Sequence, residues 1–364
     1  MEVGRTNAEN GVVIQDIKNA LSKDKLLFLF VTVSSIITYS IIVTYSDDIK
    51  VDYQFDIYLA LIFSCLYATF LAWSIVFYFR SILKKESRLF HSYMCEIKMM
   101  FKPRSKVIIF FIRILIVNIC FSNYTYLKQV IPNVNPFQYD ELFSKIDFLL
   151  HGNNFPWEIT HYIFSESIFT YIFTFSYHIW FVLVWGSIIY FLCVCRNEKY
   201  RQQYILSFLS CWFLLGSLLA IFLSSAGPCY IHLIEPDNMS YVALLDRIED
   251  QTILLNNIPL YQGGVIEVQE YLWVNYINQR NDIGAGISAM PSMHVSSSVL
   301  LALGAGLISR SIGYCLWGYA IIIQIASVHL GWHYAIDGYF SFLATLVIWY
   351  SVRWLLLLKF SEST

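Results

Sequence analysis

The chain has 364 residues, 57% of them hydrophobic and 14% charged, with a formal net charge of −2 and a mean hydropathy of +0.55. Soluble domains carry about 25% charged residues, so this balance excludes an ordinary soluble domain and points to a polytopic membrane protein. A slightly acidic chain offers no basic surface to nucleic acid, and no nucleic-acid partner is expected. In chain order, the first 25 residues are polar and have no small-residue cleavage site after an apolar stretch. They are read as retained, with the first span as membrane anchor. Apolar stretches then fall at 26–45, 57–79, 107–124, 168–194, 204–224, 291–309, 313–330 and 334–357. Each is close to the ~20 residues that cross a bilayer. The expected fold is an all-α polytopic membrane helical bundle of about eight spans. A semi-polar stretch, 125–167, separates the third span from the fourth, and the longest polar connection, 225–289, separates the fifth from the sixth. Within that connection, the aromatic segment Val265 to Asn278 is too short an apolar run to span. It is expected to lie on the membrane or over the bundle mouth.

Lysines and arginines set the orientation. With the N-terminus placed in the cytoplasm, 18 of the 24 fall in cytoplasmic segments and five in the opposite ones, and Arg113 lies inside a span. Both termini are therefore expected inside. Eight cysteines are scattered along the spans without a paired metal-type spacing, and Cys193 and Cys195 read as packing residues.

The chemistry concentrates in the last quarter. Met290-Pro291-Ser292-Met293-His294 precedes His333-Tyr334-Ala335-Ile336-Asp337 by 39 residues from histidine to histidine. That distance allows one crossing and one return, each roughly 26 Å at ~1.5 Å per residue. His294 and His333 are thus expected to meet at one membrane face, the outer one. Pro291 suits a first helical turn. Ser292 and the unpaired N–H groups of that turn suit an anion, and His294 suits proton transfer to a leaving oxygen. Gly331 suits a helix end. His333 and Asp337 then fall at i and i+4 on the next helix, where the carboxylate can fix the tautomer of a nucleophilic imidazole. Two other readings fit these residues: a purely structural His–Asp pair, and a metal site made of His294, His329, His333 and Asp337.

Ala289 to His294 resembles the second motif, and His333-x-x-x-Asp337 the third motif, of the type 2 phosphatidic acid phosphatase superfamily. The branch most similar is the inositolphosphotransferase-like group, which contains inositol phosphorylceramide synthase. Asp147 to Trp157 and Ser224 to Tyr230 also fit that branch, and the resemblance covers roughly residues 140–345. It implies a six-helix core of the phosphatidic-acid-phosphatase type within a catalytic membrane domain at 131–360, after N-terminal spans (1–130) of unassigned role. It implies that His333 attacks phosphorus and carries a phosphohistidine, and that Asp337 orients it. His294 would protonate the leaving alkoxide and then activate the acceptor, while Ser292 and nearby N–H groups hold phosphate oxygens. No cofactor or metal is implied. The implied partners are membrane lipids: a phospholipid or lipid phosphate donor, with a ceramide or diacylglycerol as possible acceptor.

The chain departs from the superfamily in its cations. Gly227-Pro228-Cys229 stands where a Lys- and Arg-bearing first motif belongs, and Ser327 stands where the third motif usually has arginine. Arg280, Arg247 or a protonated His329 are the candidate substitutes, with Ser327 beside them as a substrate-binding position. A phosphotransferase is the expected activity and a lipid phosphate phosphatase the alternative. A transporter and an inactive structural member are the further alternatives.

Overall fold

The structure, a computed structural model, describes residues 2–45, 51–255, 264–280 and 284–361. Parts of the long polar connection, 256–263 and 281–283, lie outside them. The described residues form helices and turns without strands. In order they are α1 (Glu2–Lys23), α2 (Lys25–Thr44), α3 (Ile57–Leu83), α4 (Leu89–Met100), α5 (Arg104–Val134), α6 (Asp140–Leu150), α7 (Pro156–Ile163) and α8 (Ser167–Ile189). Then follow α9 (Glu198–Phe213), α10 (Ala220–Phe222), α11 (Ile231–Ile234), α12 (Val242–Leu255), α13 (Val265–Ile277), α14 (Met293–Gly306), α15 (Arg310–His329) and α16 (Ala335–Ser361). Among the described residues, seven helical segments are long and apolar enough to cross a membrane, with α8 continuing to Val194 and α9 to Phe222. The chain is an all-α, multi-pass membrane protein.

The eighth expected span differs in kind. α14 has 14 residues, about 21 Å at 1.5 Å per residue, against a hydrocarbon core of about 30 Å. Ten of its residues are buried, so α14 meets protein rather than lipid and need not match the bilayer. Its small residues let neighbours approach. A Cβ on Gly304 would run into the ring of Tyr204, and one on Gly313 of α15 would come within 2.9 Å of the Gly306 Cα. Hydroxyls tie α14 to two further helices: Ser296 bonds Thr345 of α16 at 2.7 Å, and Ser297 accepts from Trp180 Nε1 of α8 at 2.8 Å.

α5 is longer than its apolar stretch. Its 31 residues run about 46 Å, and Asn118, Asn123 and Thr125 along it are paired rather than solvated. Asn118 donates to the Phe55 carbonyl at 2.7 Å, and Thr125 bonds Tyr58 at 2.7 Å. Asn123 accepts from Tyr53 at 2.9 Å and donates to Ser35 at 3.1 Å. These bonds fasten α2 and α3 to α5, and α5 runs through residue 130 unbroken. Near its other end Arg113 pairs with Asp24 at 2.7 Å, and Asp24 also pairs with Arg201 of α9 at 2.5 Å. The arginine inside a span is thus neutralised where α1, α2, α5 and α9 converge.

Candidate active site

Three connections build the site. The first precedes α14. Ser292 is its N-cap, accepting from the Val295 N–H at 3.4 Å, so Pro291 lies before the helix rather than in its first turn. Ala289 N–H donates to the Ser225 carbonyl at 2.9 Å, and Met290 N–H to the Ser225 hydroxyl at 3.1 Å.

The second connection closes α15. Gly331 takes φ +72, the left-handed geometry that ends helices. The Trp332 and His333 N–H groups return to the Ser327 carbonyl at 3.0 and 3.1 Å. α16 starts at Ala335, so His333 sits in the turn ahead of the helix and only Asp337 lies on it. The first N–H groups of α16 are capped from a distant element: Asp147 accepts from Ala335 at 2.5 Å and from Ile336 at 2.9 Å.

The third connection is Ser224 to Tyr230. Asp140 accepts from the Ala226 and Gly227 N–H groups at 2.9 and 2.8 Å, and from the Tyr334 hydroxyl at 3.0 Å. Cys229 N–H donates to the Gly331 carbonyl at 3.0 Å. Gly227, at φ +101, leaves no room for a side chain, since a Cβ would lie 2.9 Å from the Trp332 carbonyl oxygen. Burial outweighs these hydrogen bonds and raises both carboxyls, Asp147 to about 6.

The histidines meet. Their ring centroids are 6.0 Å apart. His333 is buried, with Nδ1 at 2.8 Å from the Ala289 carbonyl oxygen and 3.3 Å from Asp337 Oδ2. A carbonyl can only accept, so Nδ1 carries the proton and Nε2 keeps its lone pair. Burial pushes His333 down to about 3, opposed by its bond to the Ala289 carbonyl and assisted by the Lys128 charge. The ring is therefore neutral and nucleophilic at neutral pH. His294 lies between aromatic rings, Tyr177 at 4.5 Å and Trp180 at 4.3 Å between centroids. Such faces favour a cation, but burial, with His333 and Lys128 beside it, pushes His294 well below its ordinary value, so the ring of the free site is neutral.

Both histidines line a cavity of about 500 Å³ between α3, α5, α8, α9 and α13. Its wall is mainly aromatic and aliphatic, with Tyr58, Phe121, Trp185 and Leu272 among the lining residues. Asp337 stands behind His333 and does not line it. Ser292 is fully buried in its cap. Ser327 donates to the Gln324 carbonyl at 2.7 Å and acts on the site through its own carbonyl. His329 bonds Thr170 at 2.9 Å and stacks on His161 at 3.7 Å, away from the cavity, so the four residues of the metal reading are not assembled. Arg247 donates to the His161 and Ser165 carbonyls at 3.4 and 3.3 Å. Arg280 is exposed and lines a separate recess of about 250 Å³.

Lys128 does line the cavity, and sequence reasoning passed it over. It reads as a loop charge because it follows the apolar run of α5. The available signal was a single cation shortly past a span, on the face where the histidines were expected. Asp140 was passed over too, since nothing in its neighbourhood shows that it holds a loop 86 residues away.

A family model described as the PAP2 superfamily matches residues 144–351. This interval contains both histidine connections, Asp147 and the Ser224–Tyr230 loop, and leaves out Lys128 and Asp140. Comparisons with curated proteins and with solved structures gave no match.

Proposed function

Because the chain belongs to the PAP2 superfamily, whose members are generally phosphatases or phosphotransferases, we propose that it transfers a phosphate or phospho-headgroup of a membrane lipid through a phosphohistidine on His333. The observation that carries this reading is the bonding of His333. Nδ1 is committed to Ala289 and Asp337, and the ring lines a mainly apolar cavity beside His294.

In the first step Nε2 of His333 attacks phosphorus and the P–O bond to the leaving oxygen breaks. His294, between Tyr177 and Trp180, takes up a proton with the incoming phosphate, whose negative charge offsets the burial of the ring, and gives that proton to the leaving oxygen. Asp337 stabilises the charge that reaches the His333 ring. In the second step an acceptor hydroxyl gives its proton to His294 and its oxygen attacks phosphorus. The P–N bond breaks and both histidines return to their starting forms. The apolar wall keeps water scarce, which supports a lipid or alcohol acceptor and hence a phosphotransferase, in keeping with the inositolphosphotransferase-like motifs. Hydrolysis is the second reading, with water as acceptor. The lysine and arginine distribution supports placing both termini in the cytoplasm and the site on the periplasmic or lumenal side.

Purified protein in mixed micelles with labelled phospholipids and lipid phosphates, with and without ceramide or diacylglycerol, tests the reaction class. A new phospholipid formed only with the acceptor, and lost in His333→Ala, is the expected result. Free phosphate alone would favour the phosphatase. No His333-dependent product across the panel would overturn the reading.

A further inference from the structure

We propose that Lys128 is the phosphate-holding cation of this site, and that its single charge selects phosphodiester lipids over phosphate monoesters. This rests on the reading of the site as a lipid phosphoryl-transfer centre. Among the described residues, Lys128 is the only lysine or arginine in the cavity wall, and no aspartate or glutamate lines it. Nor does any described carboxylate lie within ion-pairing distance of Lys128. An ammonium in aromatic surroundings without a counter-charge is costly until an anion arrives.

The other cations are committed or elsewhere. Arg247 is bonded to backbone carbonyls, and Arg113 and Arg201 pair with Asp24. Arg280 lies on the separate recess.

Lys128 is also tied to the nucleophile through the backbone. Gly286, at φ +92, lies against it so closely that a Cβ there would be 3.1 Å from the Lys128 carbonyl carbon and 3.2 Å from Gln129 N. Three residues on, the Ala289 carbonyl holds His333 Nδ1. One short loop therefore seats both the cation and the attacking ring.

The charge count gives the substrate class. Once His294 has given up its proton, a phosphohistidine formed from a diester carries one negative charge, matched by Lys128. One formed from a monoester carries about two, leaving an unmatched charge in an apolar cavity. Lys128 lies outside the matched interval, so this selectivity belongs to the N-terminal spans.

The test compares phosphatidic acid with phosphatidylglycerol, phosphatidylinositol and phosphatidylethanolamine of the same acyl chains, using full-length protein and a diacylglycerol or ceramide acceptor. The best diester is expected to exceed phosphatidic acid by at least about tenfold in kcat/KM. Lys128→Gln is expected to lower diester kcat/KM about 100-fold, the scale on which one charge-stabilising donor acts, with elution and melting unchanged. Lys128→Arg is expected to restore most of it. Equal or better use of phosphatidic acid overturns the charge class. Lys128→Gln within threefold of wild type, with transfer still lost in His333→Ala, overturns the role of Lys128 and leaves the reaction reading standing. If the glutamine variant does not fold, wild-type lipid preference and the activity of Lys128→Arg decide. No transfer from any lipid by the wild type would sink both readings.

Discussion

The attacking atom of His333 is selected by its neighbours: with Nδ1 donating to Ala289, Nε2 is the nitrogen left to face phosphorus. Asp337 acts on that ring from behind, so Asp337→Asn is expected to lower kcat about 10²- to 10³-fold, within the range of lost acid–base support, with KM little changed. An unchanged kcat would reduce Asp337 to the structural partner of Tyr334 N–H. Titration gives a second residue-scale expectation. Burial lowers His161 to about 4 and His333 to about 3, so between those values and the ordinary 6.5 the unfolded chain binds protons that the folded chain refuses. Stability from these histidines therefore falls as pH falls through that window. The raised carboxyls Asp140 and Asp147 act in the opposite sense, so the check is differential. His161→Phe is expected to show a smaller melting-temperature loss between pH 7 and pH 5 than wild type, and an equal or larger loss would contradict the assignment.

At the scale of elements, the site depends on helix ends held from a distance. Asp147→Ala removes the acceptor for Ala335 and Ile336 N–H. It is expected to cost about 1–2 kcal/mol, as lost caps do, read as a lower melting temperature with reduced transfer. Gly304→Val would drive a branched side chain into Tyr204, with a destabilisation of about 1–3 kcal/mol from overpacking. These elements also show what was legible in the chain itself. The Pro–Ser–x–His start of α14 and the Gly331 stop of α15 are local signals, so the meeting of His294 and His333 follows from helix rise alone. The span assigned to 291–309 comes out shorter because burial, not bilayer thickness, sets the length of α14. Lys128 and Asp140 act through neighbours far away in sequence, and no local pattern carries that information. Arg280 and His329 were candidates by charge, but their positions are set by tertiary packing that removes both from the cavity.

For the whole molecule, the N-terminal spans are part of the cavity rather than an appendage. Tyr58 of α3 and Phe121, Tyr124 and Lys128 of α5 line it, and the polar bonds along α5 hold that wall in place. The proposed orientation puts the exposed Cys95 of α4 in the cytoplasm. In a variant whose sole cysteine is Cys95, an impermeant maleimide is expected to label only after sealed right-side-out vesicles are opened. Labelling of intact vesicles would invert the topology and move the site to the cytoplasmic face.

The central claim is a covalent phosphohistidine on His333, and rapid-quench trapping tests it most directly. Protein mixed with phosphorus-labelled donor lipid in the absence of acceptor, then quenched in alkali, is expected to hold an alkali-stable, acid-labile label. That label should map to the peptide containing His333, be absent in His333→Ala, and discharge into product when acceptor is added. Product formation without any label on the protein, or transfer that survives His333→Ala, would contradict the mechanism.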